Sequence, residues 1–157
     1  SQFTLHKPTD QTMSNGIQYI PNLIESFERD HRALLHSYGR LVKTANKADF
    51  PTFQTELALF KSMLVSHLLK EAVKLYIYLR QQFKDDEAIH SLVTSYKVEM
   101  DGIGRVAMGF IDAYLTAPAD VVDFAKMSTQ LNEIGKVLGD RIRREESELY
   151  PLYSAYY

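Results

Sequence analysis

Ser66-His67-Leu68-Leu69-Lys70-Glu71 lies inside a long apolar run, and the setting of His67 and Glu71 decides the fold. His67 and Glu71 are four residues apart, so on a helix they stack on one face. Leu57, Phe60, Leu64, Leu75 and Tyr78 fall on that same face. An imidazole and a carboxylate therefore point into a core. Polar groups are costly there unless they are paired or hold a metal.

Outward from this stretch the same helical period repeats. The run extends from about Phe50 to Phe83, with Asp49 and Pro51 marking its start. Before it, Ile24, Phe27, His31, Leu34, Tyr38 and Leu41 form a stripe on a helix expected from about Pro21 to Ala45. After Lys84-Asp85-Asp86 a third helix is expected to reach Leu115, with Tyr96, Met100, Ala107 and Phe110 inward. Gly102, Gly104 and Gly109 weaken that helix, which points to close helix approach or a bend. Thr116-Ala117-Pro118 is expected to cap a fourth helix running to about Tyr150, where Pro151 ends or kinks it. Its stripe includes Met127, Leu131, Leu138, Arg141, Glu145 and Leu149. Four long amphipathic helices with short connections imply an all-α, up-down-up-down antiparallel four-helix bundle. Residues 1–20 read as an N-terminal arm, with Ile17, Tyr19 and Ile20 anchoring its end, and 21–157 as the bundle.

The totals exclude several classes. With 157 residues the chain suits one domain with a full core. The net charge of -2 gives no basic excess, so nucleic acid is not an expected partner. No apolar run reaches the roughly 20 residues of a membrane span. The first residues lack the pattern of a secretory signal. The chain has no cysteine, which excludes disulfides and thiolate zinc sites and fits a cytoplasmic protein. No nucleophile-base-acid set or phosphate loop is present, so the sequence offers no catalytic residues.

The chain also repeats itself. His67-Leu68-Leu69-Lys70-Glu71-Ala72-Val73-Lys74-Leu75-Tyr76 lies over Arg141-Ile142-Arg143-Arg144-Glu145-Glu146-Ser147-Glu148-Leu149-Tyr150, and Asp30-His31 lies over Glu99-Met100. Two similar helix hairpins facing each other would bring His31, His67, Glu71, Met100, Arg141 and Glu145 to one level.

These segments resemble the motifs of hemerythrin-like (HHE cation-binding) domains. Asp30-His31-Arg32-Ala33-Leu34 resembles the first-helix signature, and His67-Leu68-Leu69-Lys70-Glu71 the second-helix HxxxE motif. Glu99-Met100-Asp101-Gly102-Ile103 is similar to the third-helix motif, with Met100 where a histidine usually stands. Arg141 to Pro151 is similar to the fourth, with Arg141 in place of its histidine. The resemblance implies a bundle holding two irons between carboxylates and histidines, which in some members binds oxygen. By position His31, His67, Glu71 and Glu145 match ligands, while Met100 and Arg141 do not. The resemblance assigns the matching residues to one metal and the missing histidines mainly to the other. Arg cannot ligate, and Met is a weak ligand for iron.

Two readings of this degenerate site follow. In one, His31, His67, Glu71 and Glu145 hold a single Fe or Zn ion instead of a complete di-iron centre, and Arg141 fills the vacant half. The domain is then a metal-binding sensory or binding module rather than an oxygen carrier. In the other there is no metal. Arg141, the two glutamates and the two histidines form a buried network in a regulatory bundle that acts on a protein partner or small ligand. A third and weaker reading is an oxidase-type enzyme, for which no substrate pocket is evident. Glu28 with His31, and Glu87 with His90, also spell ExxH. But His90 lies roughly 15 Å along the bundle from Met100 by helical rise. His36 and the charges Arg143, Arg144, Glu146 and Glu148 read as a solvated surface.

Overall fold

A computed structural model describes residues 18–154. Helix α1 spans Leu23–Asn46 and α2 spans Phe50–Glu71. Helix α2 passes through a π-helical turn, Ala72–Tyr76, into α3, Ile77–Gln82. Helix α4 spans Glu87–Leu115, and a short 3-10 turn at Ala119–Val121 leads to α5, Phe124–Arg144. A second π-helical turn, Glu145–Leu149, leads to α6, Tyr150–Ser154. The described residues thus form four antiparallel helical rods and no strand, and no helix among them is long and apolar enough to cross a membrane.

Three rods start with one device. The side chains of Asp49, Asp86 and Asp123 accept from the backbone N–H of Thr52, Ile89 and Lys126, at 3.3, 3.1 and 3.1 Å. Each satisfies a donor that the first helical turn leaves free. The fourth rod therefore starts later than its sequence suggested. Thr116-Ala117-Pro118 leads into the 3-10 turn, and Asp123 is the cap. Helix α1 starts at Leu23, after Asn22 in the left-handed region at φ 66°, a conformation asparagine tolerates. Pro151 does not end the fourth rod. It sits one residue into α6, directly after the wide π turn, where its missing N–H is accommodated.

The interior has two apolar halves. One packs Leu34, Leu41, Phe53, Leu57, Phe60 and Leu64 against Ala107, Phe110, Met127 and Leu131. The other packs Leu23, Phe27, Leu75, Tyr78 and Leu79 against Val93, Tyr96, Leu149 and Tyr153. Tyr19, at the end of the expected arm, stacks on Tyr153 with ring centroids 4.7 Å apart. The backbone N–H of Ile20 donates to Tyr153 Oη at 2.6 Å. Ile17 lies outside the described residues.

Among the described glycines, the tightest side-chain contact is not on α4. A Cβ on Gly104 would sit 3.5 Å from Leu68, an ordinary contact, and Gly109 faces open space. At Gly135 on α5, however, a Cβ would lie 2.0 Å from Tyr38 Oη. That hydroxyl donates to the carbonyl of Leu131 at 2.8 Å, fixing α1 against α5.

Candidate metal centre

Between the two apolar halves lies one polar level. His31 from α1, His67 and Glu71 from α2, Arg141 from α5 and Glu145 from the following π turn are each at most 4% exposed. One ligand atom from each of His31, His67, Glu71 and Glu145 lies within 4.8 Å of the others, so the four could hold one ion. Met100 from α4 is buried at the same level. All six residues line a partly open pocket with about 30 Å³ of space, room for roughly two waters.

The inner contacts are short. His31 Nε2 is 3.0 Å from Glu145 Oε1, and His67 Nε2 is 3.3 Å from Glu71 Oε2. Tyr150 donates its hydroxyl proton to Glu71, and its oxygen lies 3.1 Å from His31 Nε2 and 3.2 Å from Glu145 Oε1. The outer nitrogens are also occupied. His31 Nδ1 donates to Glu146 at 2.7 Å and His67 Nδ1 to Asp30 at 2.8 Å. A carboxylate only accepts, so both Nδ1 atoms carry protons and both Nε2 atoms face the centre.

Every guanidinium nitrogen of Arg141 has a partner. Its Nε donates to Glu145 at 3.1 Å, one terminal nitrogen to Glu99 at 2.8 Å and the other to Tyr76 Oη at 2.6 Å. Its guanidinium carbon also lies 4.6 Å from the centre of the Tyr96 ring, a stacked cation. The other side of the level is not fully bonded. His67 Nε2, within ion-pair distance of Glu71 Oε2 but not aligned for a hydrogen bond, and Glu71 Oε1 are buried without a hydrogen-bond partner. Native interiors rarely leave such atoms orphaned, and an ion is one of the few groups that would satisfy both.

Charge follows the same division. Burial alone would lower the pKa of His31, but its hydrogen bonds to Glu145 and Glu146 outweigh burial and raise it. For His67 burial is likewise outweighed, by Glu71 and Asp30. Burial holds the Glu71 carboxyl above its ordinary value, and the neighbouring Glu145 charge adds to this. For Glu145 burial acts the same way, but the His31 hydrogen bond and the Arg141 charge overcome it, so its pKa is lowered. Burial raises the Tyr150 hydroxyl strongly, and the charges of Glu71 and Glu145 reinforce it, so it stays a donor.

The six residues that the repeat brings to one level, His31, His67, Glu71, Met100, Arg141 and Glu145, do meet there. His36 is exposed, and Glu28 and His90 lie outside the cluster. Reading the Asp140–Glu148 charges as surface misses three contacts: Glu146 bonds His31, Arg144 bonds Glu99 at 2.7 Å, and Glu148 accepts from Tyr96. A constant 100° wheel does not hold through the π turn that carries Glu146 and Glu148. Tyr150 and Tyr76 were also missed as site residues. Their signal was their matching place at the end of each repeat.

The family model described as Hemerythrin HHE cation binding domain matches residues 22–153. No curated protein and no solved structure matches the chain.

Proposed function

The chain belongs to the hemerythrin HHE cation-binding domain family, and on that premise we propose that it binds a single divalent ion, Fe or Zn, at a degenerate centre. His31, His67, Glu71 and Glu145 are the ligands. Two imidazoles and two carboxylates form a donor set that both metals accept. The observation that carries this reading is the pair of orphaned atoms on two facing members of the cluster; Ser37 Oγ and Thr94 Oγ1, also unpartnered, lie outside it. The Arg141 side is satisfied by protein groups alone, whereas His67 Nε2 and Glu71 Oε1 are not.

Arg141 supplies one unit of the positive charge that a second ion would bring, and its guanidinium, fixed at Nε and both terminal nitrogens, stands where a further ligand would be needed. A role in metal binding or sensing therefore suits the centre better than oxygen carriage. When bound, the ion supplies a Lewis-acid site with room for a small ligand, since the pocket adjoins all four ligands. The competing reading, a metal-free bundle that works through its surface, is favoured by the completeness of the Arg141 network.

Elemental analysis of protein purified without chelator separates the two. About one equivalent of Fe or Zn, lost in His67→Ala, is expected for a four-ligand centre. Metal content near zero, with His31→Ala changing only stability, would sink the metal reading.

A further inference from the structure

The centre is gripped from outside by the same device in both halves of the bundle. In the first half, His67 Nδ1 donates to Oδ2 of Asp30 at 2.8 Å, and Lys70 Nζ reaches that same oxygen at 2.7 Å. In the second, Arg141 donates to Oε1 of Glu99 at 2.8 Å, and Arg144 reaches that same oxygen at 2.7 Å. The correspondence follows the repeat residue by residue. Asp30 directly precedes His31, and Glu99 directly precedes Met100. Lys70 stands three residues after His67, and Arg144 three after Arg141.

Each clamp is thus an acid on one helix, shared between an inward group and a cation one turn further along the facing helix. What differs is the group gripped. A histidine held at Nδ1 presents the Nε2 lone pair inward, which is how outer carboxylates orient metal-bound imidazoles. A guanidinium has no lone pair to present. The same grip therefore aims a ligand in one half and holds a fixed cation in the other.

We propose that Asp30, pinned by Lys70, is a positioning residue that turns His67 Nε2 toward the ion, and that Glu99, pinned by Arg144, is its counterpart holding Arg141 in the other half. The statement about Asp30 rests on the metal-binding reading; the clamp geometry itself does not. Favourable charge keeps both acids ionised for this work. Burial would raise the Asp30 carboxyl, but His67 and Lys70 outweigh it and lower it, and the Arg144 hydrogen bond is the main cause of the lowered Glu99.

Two measurements test the proposal. In metal-free protein at alkaline pH, long-range proton–nitrogen NMR should find the neutral His67 ring protonated at Nδ1, with that preference lost in Asp30→Ala. A wild-type ring protonated at Nε2 overturns the proposal. In zinc titrations, Asp30→Ala should bind about 10- to 100-fold more weakly at unchanged stoichiometry. Asp30→Asn, whose amide oxygen still accepts, should recover most of the loss. An unchanged zinc affinity in Asp30→Ala overturns the proposal and leaves the metal reading standing. Wild-type protein that takes up no zinc overturns the metal reading instead, and the NMR result then decides the positioning role alone. If Asp30→Ala does not fold, Lys70→Ala removes only the outer pin. It should weaken zinc binding in the same direction, and no weakening counts against the clamp.

Discussion

Arg141 is the residue on which the centre turns. A guanidinium 1% exposed keeps its charge, and the cost of burying that charge is offset by its partners: Glu145, Glu99 and Tyr76 by hydrogen bonds, Tyr96 by its ring. Removing one partner of a buried charged pair typically costs about 3–5 kcal/mol, because the other charge is left uncompensated. Arg141→Met should therefore destabilise the metal-free protein by an amount of that order in urea denaturation with chelator present. The same substitution should tighten zinc binding, since Glu145 then loses its guanidinium partner and is free to turn to the ion. Equal stability of the two proteins would show that Arg141 does not balance the carboxylates. At this scale the sequence was legible wherever a residue's own stripe placed it, as for His31, His67, Glu71, Arg141 and Glu145. It was not legible for Asp30 and Glu99, which flank the inward positions and act across to another helix. That relation exists only once the helices are assembled.

Helices were more legible than their interruptions. The 3-4 spacing of Phe27, His31, Leu34 and Leu41 places a rod and its buried face, and those residues are buried. The same spacing cannot announce a π turn, because it assumes a constant rotation per residue. Both π turns follow directly from, or begin at, the glutamate of the repeat, Glu71 and Glu145, and both end beside a tyrosine that reaches across the level. Tyr76 meets Arg141 of the other hairpin, and Tyr150 meets Glu71. A wide turn thus lets a ligand and a hydroxyl several residues later both face inward, which fits the frequency of such turns at functional sites. Contact between rods is equally hard to read from one chain. Gly135 stands in an ordinary amphipathic helix, yet a methyl group there would overlap Tyr38. Gly135→Ala should cost about 1–3 kcal/mol, as overpacking does. Chemical denaturation checks this, and a cost near zero would mean that α1 and α5 can part without penalty.

For the molecule as a whole, protons and metal compete for one polar level. The pKa values of His31 and His67 are raised in the fold, so the stability they add is complete below the unfolded value of 6.5 and is lost as pH rises through the folded values. Glu145 is lowered, so its contribution is present above 4.5 and is lost as pH falls through its folded value. Glu71 is raised by burial, so the stability of its neutral form is complete below 4.5 and is lost as pH rises through its folded value. Metal-free protein should therefore be most stable in mildly acid solution. Zinc needs neutral imidazoles and ionised carboxylates, so its affinity should rise as that stability falls. At a zinc concentration about 100 times Kd the gain is about 2.7 kcal/mol. Thermal melts with and without zinc, at about pH 6 and about pH 8, should show a larger zinc-induced rise in Tm at the higher pH. A shift that shrinks with rising pH would mean that the ion does not displace these protons.

The stacking of Tyr19 on Tyr153, with Ile20 tied to the same phenol, has a bearing on neighbours in sequence. It brings the two extremities of the described polypeptide together at one pole of the bundle. A pull applied at the front of the described residues would tug first on their back.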